Sequence, residues 1–259
     1  MRIILSNDDG IYADGLRALK EILSPLGEIY IVAPDRERSA CGHGITVHSP
    51  LRPQEVAMEN AEQAWSVDGT PADCVKLGVE ALIPVPPDIL VAGINLGANL
   101  GTDVLYSGTV SAAIEGLING IPSVAVSLAT RKDPDYFQAQ EFIKDVIKKI
   151  SDTGLPQDCL CNINIPDQKP KGVLVTSLGR RKYENIFHKR SDPKGQPYYW
   201  MGGQPRDEKT QSHCEDFITD TEAIKEGYIS VTPVHFDLTD YNSLQHFCQW
   251  FTDQEMANH

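Results

Sequence analysis

The sequence predicts an α/β fold with a mostly parallel sheet. An apolar, β-branched run at 2–5, a helical stripe at 15–26 and a second apolar run at 28–33 form one strand-helix-strand unit. Such a unit implies parallel strands joined by a right-handed crossover. Further runs at 88–94 and 122–128 are apolar throughout rather than alternating, which is the pattern of strands covered on both faces. The segments that follow these strands are polar and contain glycine, as expected at the carboxyl rim of an open α/β sheet, where ligands bind.

The chain has 259 residues, enough for one large α/β domain, or one domain with an appended arm. With 41% hydrophobic and 23% charged residues it has the balance of an ordinary globular protein. A net charge of −13 and a pI of about 4.9 argue against nucleic acid as the main partner, because its backbone requires a basic face. Small phosphorylated substrates stay open, since a bound metal can neutralise their charge. No apolar run approaches the roughly 20 residues that span a bilayer. The N-terminus enters a strand without a leader-like charged and apolar region. We therefore expect a cytoplasmic protein with no membrane partner. The cysteines, Cys41, Cys74, Cys159, Cys161, Cys214 and Cys248, are scattered, and Cys159 and Cys161 lack the two-residue spacer of a zinc or redox pair. Buried thiols are the expectation.

The first strand ends in Ser6-Asn7-Asp8-Asp9-Gly10. Two adjacent acids ionise together only at a cost unless a cation or hydrogen-bond donors compensate. Mg²⁺ or Mn²⁺ takes one or two carboxylates and keeps other positions for water and phosphate oxygens. A turn made for backbone reasons alone reads equally well from these residues. In the helix at 15–26, Leu16, Leu19, Leu23 and Leu26 make one stripe, and Gly27 is the expected C-cap. Pro34 ends the second strand, and the loop 35–44 then lies on the same rim as Asp8 and Asp9. Ser39 offers a hydroxyl to a metal or a phosphate. Arg36 and Arg38 can pair with phosphate or with nearby acids, and a solvated loop accounts for each arginine equally. His43 is expected to satisfy a local hydrogen bond.

Residues 45–67, with Ile45, Val47, Val56 and Trp65, read as β-hairpin material. The next helix has Thr70 as N-cap, Pro71 at its first position and Asp73 at the positive end of the dipole. Its apolar face is Val75, Val79 and Leu82, and Pro84 to Pro87 break it. After the strand at 88–94, Asn95 and Asn99 alternate with Gly97 and Gly101, so backbone can approach a ligand while amide oxygens point into the rim. Ser107, Gly108 and Thr109 lead into a helix running to about 117, and N–H groups with hydroxyls at a helix N-terminus make an anion site. A tight helix–strand contact also explains small residues such as Ala112 and Ala113, but not the two asparagines. A strand at 122–128, a helix at 136–150 with Phe142, Val146 and Ile150 on one face, and a strand at 161–165 complete a core at 1–166.

The composition then shifts. Residues 167–215 mix Lys, Arg, Gly and Pro with Tyr183, Phe187, Tyr198, Tyr199 and Trp200, which reads as extended hairpins outside the main sheet. Subunit contact is a commoner use of such an arm than base or nucleic-acid binding. A helix at 220–226, a strand at 227–233 and a last helix at 243–251 follow, so 167–259 forms an arm, a returning strand and a C-terminal helix within one domain overall.

Taken together, SNDDG at 6–10, DGTPADCV at 68–75, AGINLGANLGTDVLYSGTVSAAIEG at 92–116 and GYISVTP at 227–233 resemble one family over nearly the whole chain. It is the SurE, or survival-protein-E-type, metal-dependent 5′/3′-nucleotidases. The resemblance implies a Rossmann-like three-layer sandwich, with a C-terminal hairpin and helix extension exchanged between subunits of a homodimer or homotetramer. It implies one divalent cation per subunit, Mg²⁺ or Mn²⁺, and hydrolysis of nucleoside 5′- and 3′-monophosphates, with short-chain polyphosphate as a further substrate of some members. Matched position by position, Asp8, Asp9, Ser39 and Asn95 fall on metal ligands, and Asn99, Ser107, Gly108 and Thr109 on phosphate-binding positions. All four ligand candidates are oxygen donors, as a hard cation requires.

The implied chemistry is metal-assisted phosphomonoester hydrolysis. The cation polarises the phosphate and lowers the pKa of a bound water. Asn99 and the Ser107 and Thr109 hydroxyls stabilise charge on the equatorial oxygens. Asp8, in preference to Asp9, takes the proton of the water. Asp8, Asn99 and Ser107 are thus the catalytic candidates. An aspartyl-phosphate phosphatase needs a free carboxylate nucleophile, whereas these acids look committed to a metal. A non-catalytic nucleotide-binding oligomer is permitted by the fold, but the metal-and-hydroxyl set exceeds what retention needs. No G-x-G-x-x-G follows the first strand, which argues against a dinucleotide oxidoreductase.

Overall fold

Residues Arg2–Ser6 form β1, at the middle of the sheet. The computed structural model describes residues 1–130, 132–184, 186–208 and 217–256. In chain order β1 is followed by α1 (Asp14–Leu23), β2 (Glu28–Pro34), β3 (Pro53–Glu55), β4 (Gln63–Val67), α2 (Pro71–Leu77), β5 (Ile89–Leu96) and α3 (Gly108–Ile118). Then come β6 (Ser123–Ala129), α4 (Gln140–Thr153), β7 (Leu160–Pro166) and β8 (Val173–Val175). The arm strands are β9 (Arg180–Glu184), β10 (Phe187–Ser191), β11 (Pro197–Met201) and β12 (Gln204–Glu208), before α5 (Asp220–Glu226), β13 (Ile229–Val234) and α6 (Leu244–Met256).

The main sheet has the order β3-β4-β2-β1-β5-β6-β7-β13-β8. From β4 to β7 every neighbour is parallel. β3 is antiparallel on one edge, and β13 runs antiparallel to β7. The two-residue period of each strand divides the core into two layers. Ile3 and Leu5 pack with Leu16, Leu19 and Ile22 of α1 and with Ile143 and Ile147 of α4. Ile4 packs on the opposite face with Cys74 and Val75 of α2 and Val110 of α3. The chain leaves β1 for β2 on one side and later returns to β5 on the other. The carboxyl ends of β1 and β5 therefore flank the topological switch point, where such sheets bind ligands.

Several elements differ from the sequence expectation. α1 stops at Leu23, and Ser24–Leu26 tightens into a 3₁₀ turn containing Pro25, which lacks the N–H an α-helix needs. Gly27 is extended rather than left-handed (φ 165°); it is glycine because a Cβ would sit 1.8 Å from the Met1 carbonyl oxygen. The hairpin expected at 45–67 is confined to β3 and β4, and β4 joins the main sheet beside β2. Ile45 and Val47 are exposed and belong to no strand. Thr70 is the N-cap of α2 as expected, and Asp73, expected only to complement the dipole, closes a reciprocal cap with it. Past Leu77 its turns widen, with Ile83 N–H reaching Gly78 O at 2.9 Å. The buried line of α4 is Ile143, Ile147 and Ile150, while Phe142 and Val146 are only partly covered.

Beyond 166 the expected hairpins are only partly outside the sheet. β8 pairs with β13 within it. β9 pairs with β12 and β10 with β11 in separate ribbons, and residues 209–216 lie outside the described set. Of the cysteines, Cys74 and Cys161 are buried, Cys41 and Cys159 are partly exposed, Cys248 is exposed, and Cys214 is outside the described residues. The expectation of buried thiols therefore holds for two of them. Among the described residues, no helix is long and apolar enough to cross a membrane.

Candidate active site at the sheet switch point

The turn after β1 is held by Asn7, not by the acids. Asn7 Nδ2 donates to Gly10 O at 2.9 Å, and Gly10 N–H donates to Asn7 Oδ1 at 3.2 Å. Gly10 has φ 106°, a conformation that glycine adopts without penalty. Asp8 and Asp9 are thus not spent on forming the turn.

Asp8 is buried, and its Oδ1 accepts the Thr109 hydroxyl at 2.5 Å. Burial pushes its carboxyl above the ordinary 3.8, opposed by the Thr109 hydrogen bond. Asp9 is half-buried and is pushed up to about 6, first by desolvation and then by the charge of Asp8, with a Leu96 backbone hydrogen bond acting the other way. That contact places Asp9 against the end of β5, one residue beyond Asn95. α3 comes closest at Gly108, where a Cβ would lie 2.6 Å from Asp8 Cβ and 3.0 Å from Asp8 Oδ2. Only a glycine lets the first turn of α3 meet the acid at this distance.

Ser107 is the N-cap of α3, its Oγ accepting Val110 N–H at 3.1 Å. Ser107, Gly108 and Thr109 are all buried at this helix start, so donors and the positive dipole end converge beside Asp8. Asn95 is half-buried, with Nδ2 donating to Gly97 O at 2.7 Å. Asn99 is buried, with Nδ2 donating to Ser127 Oγ at 2.7 Å.

Ser39 is exposed and donates to Glu37 Oε1 at 2.7 Å. The structure thus brings Asp8, Gly108 and Thr109 into direct contact and sets Asp9 at the end of β5. Among the described residues, no hydrogen bond joins Ser39 or Asn95 to the two aspartates. The rim loop is nonetheless tied to β1, since Arg38 N–H donates to Asp8 O at 2.7 Å. Arg36 and Arg38 both pair with Asp35, at 3.7 and 3.2 Å, a nearby acid of the kind expected for them. His43 meets Glu115 at 2.9 Å, so it is satisfied by a hydrogen bond as expected, though the partner lies 72 residues away on α3.

Among the described residues, no three His, Cys, Asp or Glu side chains gather as a metal centre. The candidate set is instead two carboxylates, a hydroxyl and an amide, all oxygen donors, which suits Mg²⁺ or Mn²⁺ and not zinc. The polar partners of Asn99 on β6 and β7 were missed in the sequence reading. Their signal was present, as Asn162 and Asn164 alternate with isoleucine in an otherwise apolar strand.

The family model for Survival protein SurE matches residues 3–185. The chain belongs to the SurE family. Its SurE relatives align almost end to end. A 5′-nucleotidase SurE from Pelotomaculum thermopropionicum is 58% identical over 246 residues, covering 95% of this chain and 93% of that protein. One from Desulforamulus reducens is 51% identical over 253 residues, covering 96% and 98%. Among solved structures, the SurE protein from Aquifex aeolicus superposes with a TM-score of 0.79 at 41% identity, covering 95% of this chain and 98% of that one. The SurE family match spans every candidate residue described above and ends one residue past β9, at the root of the arm.

Proposed function

We propose that this SurE chain is a metal-dependent phosphomonoesterase that releases phosphate from nucleoside 5′- and 3′-monophosphates, with short-chain polyphosphate as a further substrate. Its coarse class, a nucleotidase hydrolase, rests on relatives that carry the 5′-nucleotidase name along almost their whole length. One observation supports the site reading: the Thr109 hydroxyl at the start of α3 donates to Asp8 in the turn after β1. Asp8, Asp9, Ser39 and Asn95 would hold one Mg²⁺ or Mn²⁺ per subunit, which when bound supplies charge neutralisation and a water of lowered pKa.

The chain's own groups do the rest. The Ser107 hydroxyl, the start of α3 at Gly108 and the Asn99 amide hold the phosphate and meet the charge that builds on its oxygens, while Thr109, whose hydroxyl donates to Asp8 Oδ1, sets the acid beside them. Asp8, in preference to Asp9, takes the proton of the attacking water; the Thr109 hydroxyl occupies one lone pair of its Oδ1, and the remaining lone pairs of the carboxylate serve the cation and that proton. Exposed Phe187, Tyr199 and Trp200 on the arm and Phe247, Trp250 and Phe251 on α6 support a homodimer or homotetramer built through the C-terminal extension. The reading includes a cytoplasmic protein without nucleic-acid or membrane partners, and the net charge of −13 speaks against the nucleic acid.

The test is phosphate release from AMP, GMP and 3′-AMP by chelated enzyme with Mg²⁺ or Mn²⁺ restored, beside Asp8→Asn. Release that needs the metal and is lost in the variant is expected. Nucleotide binding without release under any metal would return the chain to the class of binding proteins.

A further inference from the structure

Asn99 is anchored more firmly than a place in a glycine-containing loop requires. Its N–H donates to Asn164 Oδ1 at 2.8 Å. Its carbonyl accepts two amide donors, Asn162 Nδ2 at 3.0 Å and Asn164 Nδ2 at 3.1 Å. Its own Nδ2 donates to Ser127 Oγ at 2.7 Å. Asn162, Asn164 and Ser127 are each 0% exposed. Ser127 of β6 stands in register with Asn95 of β5 on one side and Asn164 of β7 on the other.

This arrangement is costly in the middle of a sheet. The alternation at 162–165 sends both asparagines to one face and both isoleucines to the other, and it is Ile163 and Ile165 that join the apolar core. A buried amide costs free energy unless it is hydrogen-bonded. Asn162 Oδ1 finds no partner among the described residues, so the seam is not there for its own satisfaction. What it grips is the peptide and the side chain of one rim residue.

We infer that Asn164, assisted by Asn162 and Ser127, is a positioning residue for Asn99. It fixes the Asn99 peptide at both its N–H and its carbonyl, while Ser127 takes one proton of the Asn99 amide and leaves the other for a phosphate oxygen. None of the three touches substrate; they act through the placement of Asn99. The inference rests on the phosphate role proposed for Asn99.

The test is a double-mutant cycle in the full-length, Mn²⁺-supplied protein with AMP. It compares Asn164→Ala, Asn99→Ala and the double variant by kcat, KM and melting temperature. Asn164→Ala is expected to lower kcat about tenfold or more, with a smaller change in KM, because misplacement by an ångström costs up to about a hundredfold. That factor should nearly vanish in the Asn99→Ala background, as it does when two residues act as one unit. Additive factors, or a lower melting temperature with unchanged kcat, would overturn the inference. Full activity in Asn99→Ala alone would instead overturn the phosphate role of Asn99, a failure separable from that of its anchor. Should Asn164→Ala not fold, Ser127→Ala carries the same cycle, since it removes only the acceptor of the Asn99 amide; coupling supports the inference and additivity overturns it.

Discussion

Gly108 sits where a helix start and a buried acid meet, with room for a hydrogen and none for a methyl group. A Cβ there would overlap Asp8 Cβ at 2.6 Å. Gly108→Ala is therefore expected to displace Asp8 or tilt α3, costing about 1–3 kcal/mol from overpacking. It should lower kcat/KM by at least about tenfold, in line with the cost of misplacing a catalytic group. Urea unfolding and steady-state kinetics check both, and an active, stable variant would show that the close approach is incidental. Asp9 offers a second check. Its carboxyl is raised to about 6, so below that value it holds a proton that a cation must displace. Mn²⁺ affinity should rise with pH through this range, with proton release detectable by calorimetry in buffers of different ionisation enthalpy. Affinity that stays flat from about pH 5 to about pH 7 would count against Asp9 as a ligand. At this scale the candidate residues Asp8, Asp9, Asn95, Asn99 and the 107–109 triplet stand in local strings that the chain displays without a fold, and the structure adds the contact of Asp8 with Gly108 and Thr109. That Asp35 is the acid which Arg36 and Arg38 meet could not be read from the chain, because a long arginine side chain has several partners within reach and only the loop path selects one.

α3 serves two ends of the molecule. Its start faces Asp8, while Glu115 in its body, 2% exposed, meets His43 at 2.9 Å and Lys76 at 3.3 Å. The helix is thereby joined both to α2 and to the rim loop that carries Ser39. The His43 hydrogen bond, foremost, holds the Glu115 carboxyl below its ordinary 4.5. Because the folded value lies below the unfolded one, the stabilisation is complete above the unfolded value and drains away as pH falls through the folded one. Glu115→Gln should therefore lower the neutral melting temperature and flatten its decline in acid. Melts taken from about pH 7 to about pH 3 test this, and an unchanged acid slope would remove Glu115 from the account. Element identity was largely readable: the Thr70 cap of α2 and the Ser107 start of α3 follow from residue type alone. The inward line of α4 was not. Phe142, Ile143, Val146, Ile147 and Ile150 make an apolar arc wide enough for two lines, and the packing of α4 beside α1 on the sheet buries the one through Ile143 and Ile147.

Over the whole molecule, the arm is coupled to the site through its root. Arg181 pairs with Asp103 and with Asp207, each at 2.9 Å, joining β9 and β12 to the turn Gly101–Leu105 between Asn99 and Ser107. Further out, Trp200 is 66% exposed among other aromatic residues. If the arm is a subunit contact, Trp200→Glu should lower the molar mass measured by sedimentation, since a charge placed in an apolar contact is desolvated without a partner. An unchanged mass would move the contact elsewhere. The sequence by itself determined the strand-helix alternation, the parallel core and the carboxyl-rim residues, because strand period, helix caps and motif strings are properties of neighbours in the chain. Only the tertiary structure decided that β13 returns between β7 and β8, that residues 45–52 stay out of the sheet, and that Asn162 and Asn164 grip Asn99 across 63 and 65 residues. Those outcomes depend on which faces and edges meet once the chain closes on itself, and no local window of sequence carries that information.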